Sequence, residues 1–210
     1  MEYKFQDILK NIIPGFYIVL GMVLLCWLSG CITNLDLIDV IKNIPSEVFI
    51  FFIPLIFYIL GYLNDILSSC FEFYLYELGC KRPSELLLNN KKKRYRLPKL
   101  EKIKNELGLP NENILSREES YRAFQKANEM KDIDKDNITE FYVSYIFARN
   151  FMVANFLLVI GSFIVAVFNT SNCHIWIILI SYSLLSFLFV YRWKQKALYY
   201  SKKVFNSIIK

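Results

Sequence analysis

The chain holds one histidine and seven glycines in 210 residues, and those two scarcities remove most enzyme chemistries at once. A phosphate-cradling loop needs clustered glycines, and none cluster here. The five cysteines show no paired metal-ligand spacing and only one histidine is present, which argues against a zinc site. His174 adjoins Cys173, but neighbouring helix side chains point about 100° apart, which excludes a nucleophile and its base. Asp132, Asp134 and Asp136 lack the glycine and the terminal glutamate of a calcium loop. The expectation is a chain that is not an enzyme and carries no cofactor and no metal.

Charge is also missing, from four stretches. Residues 12–29, 48–63, 151–168 and 173–191 contain no Asp, Glu, Lys or Arg. A hydrocarbon core is crossed by about 20 apolar residues rising 1.5 Å each. The composition is 55% hydrophobic, above the roughly 45–50% of a soluble domain. Packing four such stretches inside a soluble protein would leave too few polar residues to wrap them. The expected fold class is all-α: an integral membrane protein with four transmembrane helices and a helical cytoplasmic insert between the second and third. Residues 1–68 form the first transmembrane pair, at about 12–29 and 48–68. Residues 69–140 form the insert, 141–191 the second pair at about 145–168 and 173–191, and 192–210 a basic amphipathic cytoplasmic tail. The first stretch does not read as a cleaved signal, because Glu2 and Asp7 offset Lys4 and Lys10 and no small-x-small site follows.

Orientation follows from the cations. Of 25 Lys and Arg, only Lys42 falls in a loop on the far side. Lys81 to Lys104 holds ten of them, and the tail after Tyr191 adds six with no acid. Four crossings with that insert inside place both termini in the cytoplasm of a bacterial inner membrane. Cys70 and Cys80 then face a reducing compartment. Cys31 and Cys173 end at the outer face, either as a disulfide or as two free thiols. Asn169-Thr170-Ser171 and Asn137-Ile138-Thr139 match a glycosylation acceptor by chance.

The insert reads as helical. Ser84 after Pro83 opens a short turn over Glu85–Leu88. Leu100, Ile103 and Leu107 share a face until Gly108 and Pro110 stop the helix. Ser116 and Glu119 form a capping box for a helix from Arg117 to about Met130, with Tyr121, Phe124 and Ala127 inward. Asn137 with Glu140 opens another, from Ile138 to Phe168, about 31 residues and roughly 46 Å long. Trp193, Ala197, Tyr200, Val204 and Ile208 recur at helical spacing in the tail. Three helices continuing past the bilayer would give the insert a surface to pack on.

Polar residues at membrane depth are costly unless satisfied. Asp65 near the inner end of the second crossing matches Arg149-Asn150 near the inner end of the third, which predicts an Asp65–Arg149 ion pair. Asn155, Ser162, Ser181, Ser183 and Ser186 can bond between helices, and Gly15, Gly21 and Gly161 allow close approach. In an oligomer, Asn155, Ser162 and the serines of the fourth helix would line a polar path along the seams between copies. The tract Lys91-Lys92-Lys93-Arg94-Tyr95-Arg96 admits four readings: lipid headgroups, an acidic partner protein, a nucleotide or nucleic acid, or an exposed loop. Basic Lys81–Lys104 followed by acidic Asn105–Glu140 would let copies pair in a ring, or would simply form two solvated faces.

The order of helix pair, basic insert, then Tyr145-x-x-Ala148-Arg149-Asn150 leading into a second pair resembles small four-span proteins of bacterial antiphage operons. The membrane accessory proteins of type VI-B CRISPR loci and the membrane subunit of the Kiwa system are of this kind. The resemblance implies an oligomeric membrane component that senses infection or perturbs the bilayer alongside a soluble cytoplasmic protein. The leading expectation is therefore a sensor or effector, with a passive anchor as the alternative and a membrane enzyme or transporter behind both. The cation count yields the first test. Alkaline phosphatase fused after Thr170 is active and the same enzyme fused after Lys93 is not; the reverse pattern refutes this topology.

Overall fold

The computed structural model describes residues 2–31, 42–43, 45–89, 95, 97–110, 114–130, 135–169 and 172–209; of residues 2–7, 46–49 and 135–137 it describes the backbone alone. Among the described residues there is no strand, and the helices are α1 (Glu2–Leu28), α2 (Ser46–Glu77), α3 (Pro83–Asn89), α4 (Leu100–Leu107), α5 (Arg117–Glu129), α6 (Lys135–Phe168) and α7 (Cys173–Asn206). Four segments are long and apolar enough to cross a membrane: Ile8–Leu28, Ile50–Glu77, Ile138–Phe168 and Cys173–Asn206.

Several boundaries differ from the sequence reading. Helix α1 starts at Glu2 instead of about residue 12. A charge-free stretch bounds the apolar segment, whereas a helix ends at a breaker, and Glu2–Asn11 contains no Gly or Pro. Helix α6 begins at Lys135, ahead of the cap expected at Asn137. Helix α7, by contrast, runs from Cys173 to Asn206 without interruption, the continuation past the fourth span that the spacing in the tail predicts.

The chain divides into two compact units, Met1–Phe71 with Ile146–Tyr191, and Glu72–Tyr145 with Arg192–Lys210. In the first, α1 and α2 meet backbone to backbone. A Cβ on Gly15 would overlap the carbonyl of Phe57, and one on Gly61 would overlap the carbonyl of Asn11. Only hydrogen in place of a side chain permits that approach. Gly21 faces the Leu158 side chain, and a Cβ on Gly161 would lie 3.3 Å from Leu25 Cδ1. Leu25, Leu158 and Tyr182 centre a buried cluster with Tyr17, Val159 and Ile178 around it. The outer faces stay apolar: Phe51 is 72% exposed and Phe187 75%. Contiguous apolar surface of this kind suits lipid and not water.

The second unit has its own core, built from Leu87, Leu88, Leu97, Ile103, Leu107, Leu115, Ala123, Ala127, Ile138, Tyr200, Val204 and Phe205. The last three come from the end of α7, so the lysine-bearing tail contributes apolar packing to this core. Helix α4 stops at Gly108 in the left-handed region, φ 70°, as its composition predicts. The capping box of α5 is present, with Ser116 N–H donating to Glu119 Oε2 at 2.7 Å and Glu119 N–H to Ser116 Oγ at 3.2 Å. The Ser116 amide and hydroxyl hold the Glu119 carboxyl below its usual range, so the cap acts at neutral pH and is lost in acid. Asn89 fastens α3 to the start of α5, donating to Leu115 O at 2.7 Å and accepting from Leu115 N–H at 2.9 Å. The inner face of α5 is Ser120, Ala123 and Ala127, with Phe124 beside it. Tyr121, expected inward, is instead 41% exposed, with the guanidinium of Arg82 over its ring.

The glycine contacts generate a test by melting the detergent-solubilised chain. Gly15→Ala and Gly61→Ala each destabilise by about 1–3 kcal/mol through overpacking against backbone. Gly161→Ala, meeting the end of a flexible leucine, stays within about 0.5 kcal/mol. Equal effects at all three positions would contradict the backbone approach.

Candidate functional site

Helices α2 and α6 carry consecutive polar residues that meet in register. Arg149 Nη2 donates to Asp65 Oδ1 at 2.7 Å, and the neighbouring Asn64 Nδ2 donates to the Asn150 carbonyl at 2.9 Å. Ser68 Oγ, one turn on, donates to Asn64 O at 2.6 Å. The structure thus brings together the Asp65–Arg149 pair read from depth alone, with side-chain exposures of 26% and 8%. Sequestered charges of this sort hold each other in place, and removing one leaves the other uncompensated. Among the described residues no group of three or more metal-ligating side chains is present. The pair is a latch in the structural sense, one directional contact that joins α2 to α6.

Asn150 contributes its backbone to this latch and not its amide. Both Asn150 side-chain atoms are buried without a hydrogen-bond partner among the described residues, as is Asn64 Oδ1. Each such group costs about 1–3 kcal/mol.

Asn155 bonds between helices, one of the two roles read from the sequence: it is fully buried within one chain, accepting from Tyr17 O–H at 2.8 Å and donating to Tyr182 O at 2.9 Å and Ser186 Oγ at 2.7 Å. One amide therefore ties α1, α6 and α7 together. Ser162 is equally buried and donates to Leu158 O at 2.6 Å. Ser181 and Ser183 bond back to Ile177 and Leu179 of their own helix, at 2.8 and 2.7 Å. The spacing of these residues marks a helix face, but not whether that face meets its own bundle or another copy.

At the opposite end of the same unit, two asparagines close the bundle. Asn169 Nδ2 donates to Ser29 O at 3.1 Å and Asn172 Nδ2 to Leu28 O at 3.0 Å, satisfying carbonyls at the C-terminus of α1. Asn172 also caps α7, its Oδ1 accepting from His174 N–H at 3.1 Å. These caps were missed; the signal was an Asn on each side of the α6–α7 turn. Cys31 and Cys173 are free, exposed thiols beside the joined helix ends, and Cys70 and Cys80 are free as well.

The second unit holds a further residue that sequence reasoning passed over. Glu72 is a buried carboxylate, and Tyr145 O–H donates to both of its oxygens. The Tyr145 ring stacks on Tyr200, centroids 5.8 Å apart and 8° from parallel. An acid within the aromatic run Phe71–Tyr76 was the available clue. Lys91, Lys92, Lys93, Arg94 and Arg96 lie outside the described residues, as do Asp132, Asp134, Thr170 and Ser171.

Comparisons with protein-family models, curated proteins and solved structures find no match to this chain. The reading of the site therefore rests on its own residues.

The latch is testable by a double-mutant cycle on melting. Asp65→Asn alone destabilises by about 3–5 kcal/mol, and the double variant Asp65→Asn, Arg149→Gln recovers part of that loss. Strictly additive single effects would mean that the two side chains do not interact.

Proposed function

We propose that this chain is a bacterial inner-membrane sensor or effector of a defence or stress system, acting without catalysis. The observation that carries the reading is the Asp65–Arg149 contact at 2.7 Å between two candidate spans. A passive anchor needs apolar helices and nothing more. Ionisable residues at such positions are rare because each is costly, and they mark working parts of membrane proteins. A pair that can open and close gives the bundle two arrangements for a partner or ligand to bias. Both termini are cytoplasmic in this reading, and the second unit meets a soluble cytoplasmic partner protein. The resemblance to four-span proteins of antiphage operons agrees with that role.

Permeability, if it changes, is a property of several copies in this reading. Asn155 and Ser162 are spent inside one chain, so a polar path would need helices from neighbouring subunits and a rearrangement of the bundle. A homo-oligomer of three or more copies in mild detergent belongs to the proposal. The alternative is an anchor that only recruits a soluble protein to the bilayer, with the pair serving packing alone.

A potential-sensitive dye separates the two. Cells carrying the complete system depolarise on challenge, and Asp65→Asn abolishes the response while the protein still reaches the membrane and still recruits its partner. An unchanged potential in challenged wild-type cells would leave the anchor.

A further inference from the structure

The second unit contains a cavity of about 440 Å³ that none of the preceding argument uses. Its walls carry three guanidinium groups, from Arg82 just ahead of α3 and from Arg117 and Arg122 on α5. Their pairing is unusual. Arg122 Nη2 lies 3.7 Å from Glu118 on the exposed surface, and Arg82 Nη2 lies 3.8 Å from the half-exposed Glu77. Both contacts are long and wet, worth little. Arg82 Nε, Arg117 Nε and Arg117 Nη2 are buried away from solvent, with no acceptor among the described residues.

Burying guanidinium N–H groups without acceptors costs more than leaving a neutral donor unmet. Three guanidiniums around one cavity also repel one another, and the two carboxylates on the wall do not neutralise them. Arg82 is nonetheless fixed in position, its guanidinium 4.2 Å from the ring centroid of Tyr121 and 5.5 Å from that of Tyr76. An ordered arginine with an unused edge is preorganised for a planar or tetrahedral oxyanion. Gln125 and Tyr121 line the same space and add a polar amide and an aromatic surface.

We infer that this cavity binds a phosphorylated compound, its phosphoryl oxygens accepting from Arg82 and Arg117, with Arg122 at the rim. The volume exceeds that of a single phosphate and falls in the range of small-molecule sites, about 300–1,000 Å³. The phosphoryl group belongs either to a soluble metabolite or to a lipid headgroup. The inference goes beyond the latch in the first unit, and its failure would leave the Asp65–Arg149 reading untouched.

The test uses the full chain in maltoside detergent and phosphate-free buffer, with inorganic pyrophosphate as the probe. Pyrophosphate binds saturably by calorimetry and raises the melting temperature. Arg117→Gln weakens binding by about tenfold or more, and Arg117→Lys, which keeps the charge and loses the fork, falls between. In the absence of the probe, Arg117→Gln melts no lower than wild type, because a cation lacking an acceptor has been removed. A structural role for Arg117 predicts the opposite, a lower melting temperature. Changing Lys91, Lys92, Lys93 and Arg94 to Gln leaves pyrophosphate binding within about twofold, which separates the cavity from general attraction to a basic chain. Phosphatidylcholine vesicles containing phosphatidic acid compete with pyrophosphate if the natural group is a lipid headgroup, and do not if it is soluble. Absence of saturable binding to wild type at millimolar pyrophosphate overturns the inference. Binding that Arg117→Gln leaves unchanged overturns it equally.

Discussion

A carboxylate and a guanidinium placed among apolar helices each lose hydration worth several kcal/mol, and close mutual contact is what returns it. Asp65 and Arg149 make that contact at 2.7 Å, and it fixes more than themselves. Because Asn64 and Asn150 are their neighbours in sequence, setting the ion pair also sets the Asn64 bond to the Asn150 backbone. On α2 the residues at work are Phe57, Gly61, Asn64, Asp65 and Ser68, spaced by four, three, one and three. They form a single stripe. Its upper turn presses backbone to backbone on α1, and its lower turn bonds to α6. Between Ile50 and Leu67 most of the other α2 side chains are apolar and exposed, as on a lipid-facing helix. A slip of one residue would rotate this stripe by about 100° and lose the glycine contact and the ion pair together. The register is therefore specified by polar residues, where apolar packing alone would tolerate several alternatives.

The same economy governs the deeper part of the bundle. In lipid, no water competes for a polar side chain, so a serine or asparagine bonds to its own helix or to the nearest one. Ser162, Ser181 and Ser183 take the first course and Asn155 takes the second. One asparagine amide with three partners on two helices is a structural tie. That assignment places Asn155 and Ser162 in the packing of one chain.

How much of this was legible in the sequence depends on the range of the physics. The spans were, since absence of charge over about 18 residues is a local property. The cap at Ser116 and Glu119 and the stop at Gly108 were, because both act within one turn. The Asp65–Arg149 pair was legible as well, since depth in a bilayer is a coordinate that sequence position supplies. Faces were not. Asn155, Ser162 and Tyr121 each carry a polar group on a helix, and only tertiary packing decides what that group meets. Gly61 escaped notice because its partner is a backbone carbonyl of α1, which no side-chain pattern announces. Asn169 figured only in a chance glycosylation match and Asn172 went unread, because their role depends on where α1 ends.

The second unit illustrates the limit most plainly. Its insert of about 70 residues is too short to bury a core unaided, and α3 and α4 have 7 and 8 residues. Tyr200, Val204 and Phe205 supply apolar area from the amphipathic tail, two of them on the face that its spacing had marked. Once that core is assembled, Arg82 and Arg117 are brought to one cavity from positions thirty-five residues apart. Neither stands out in the sequence, where the denser run at Lys91–Arg96 draws attention first. A solvated cation asks for no particular partner. Two arginines with buried, unmet donors do, because the free energy lost by desolvating them is regained only by an acceptor of the right shape.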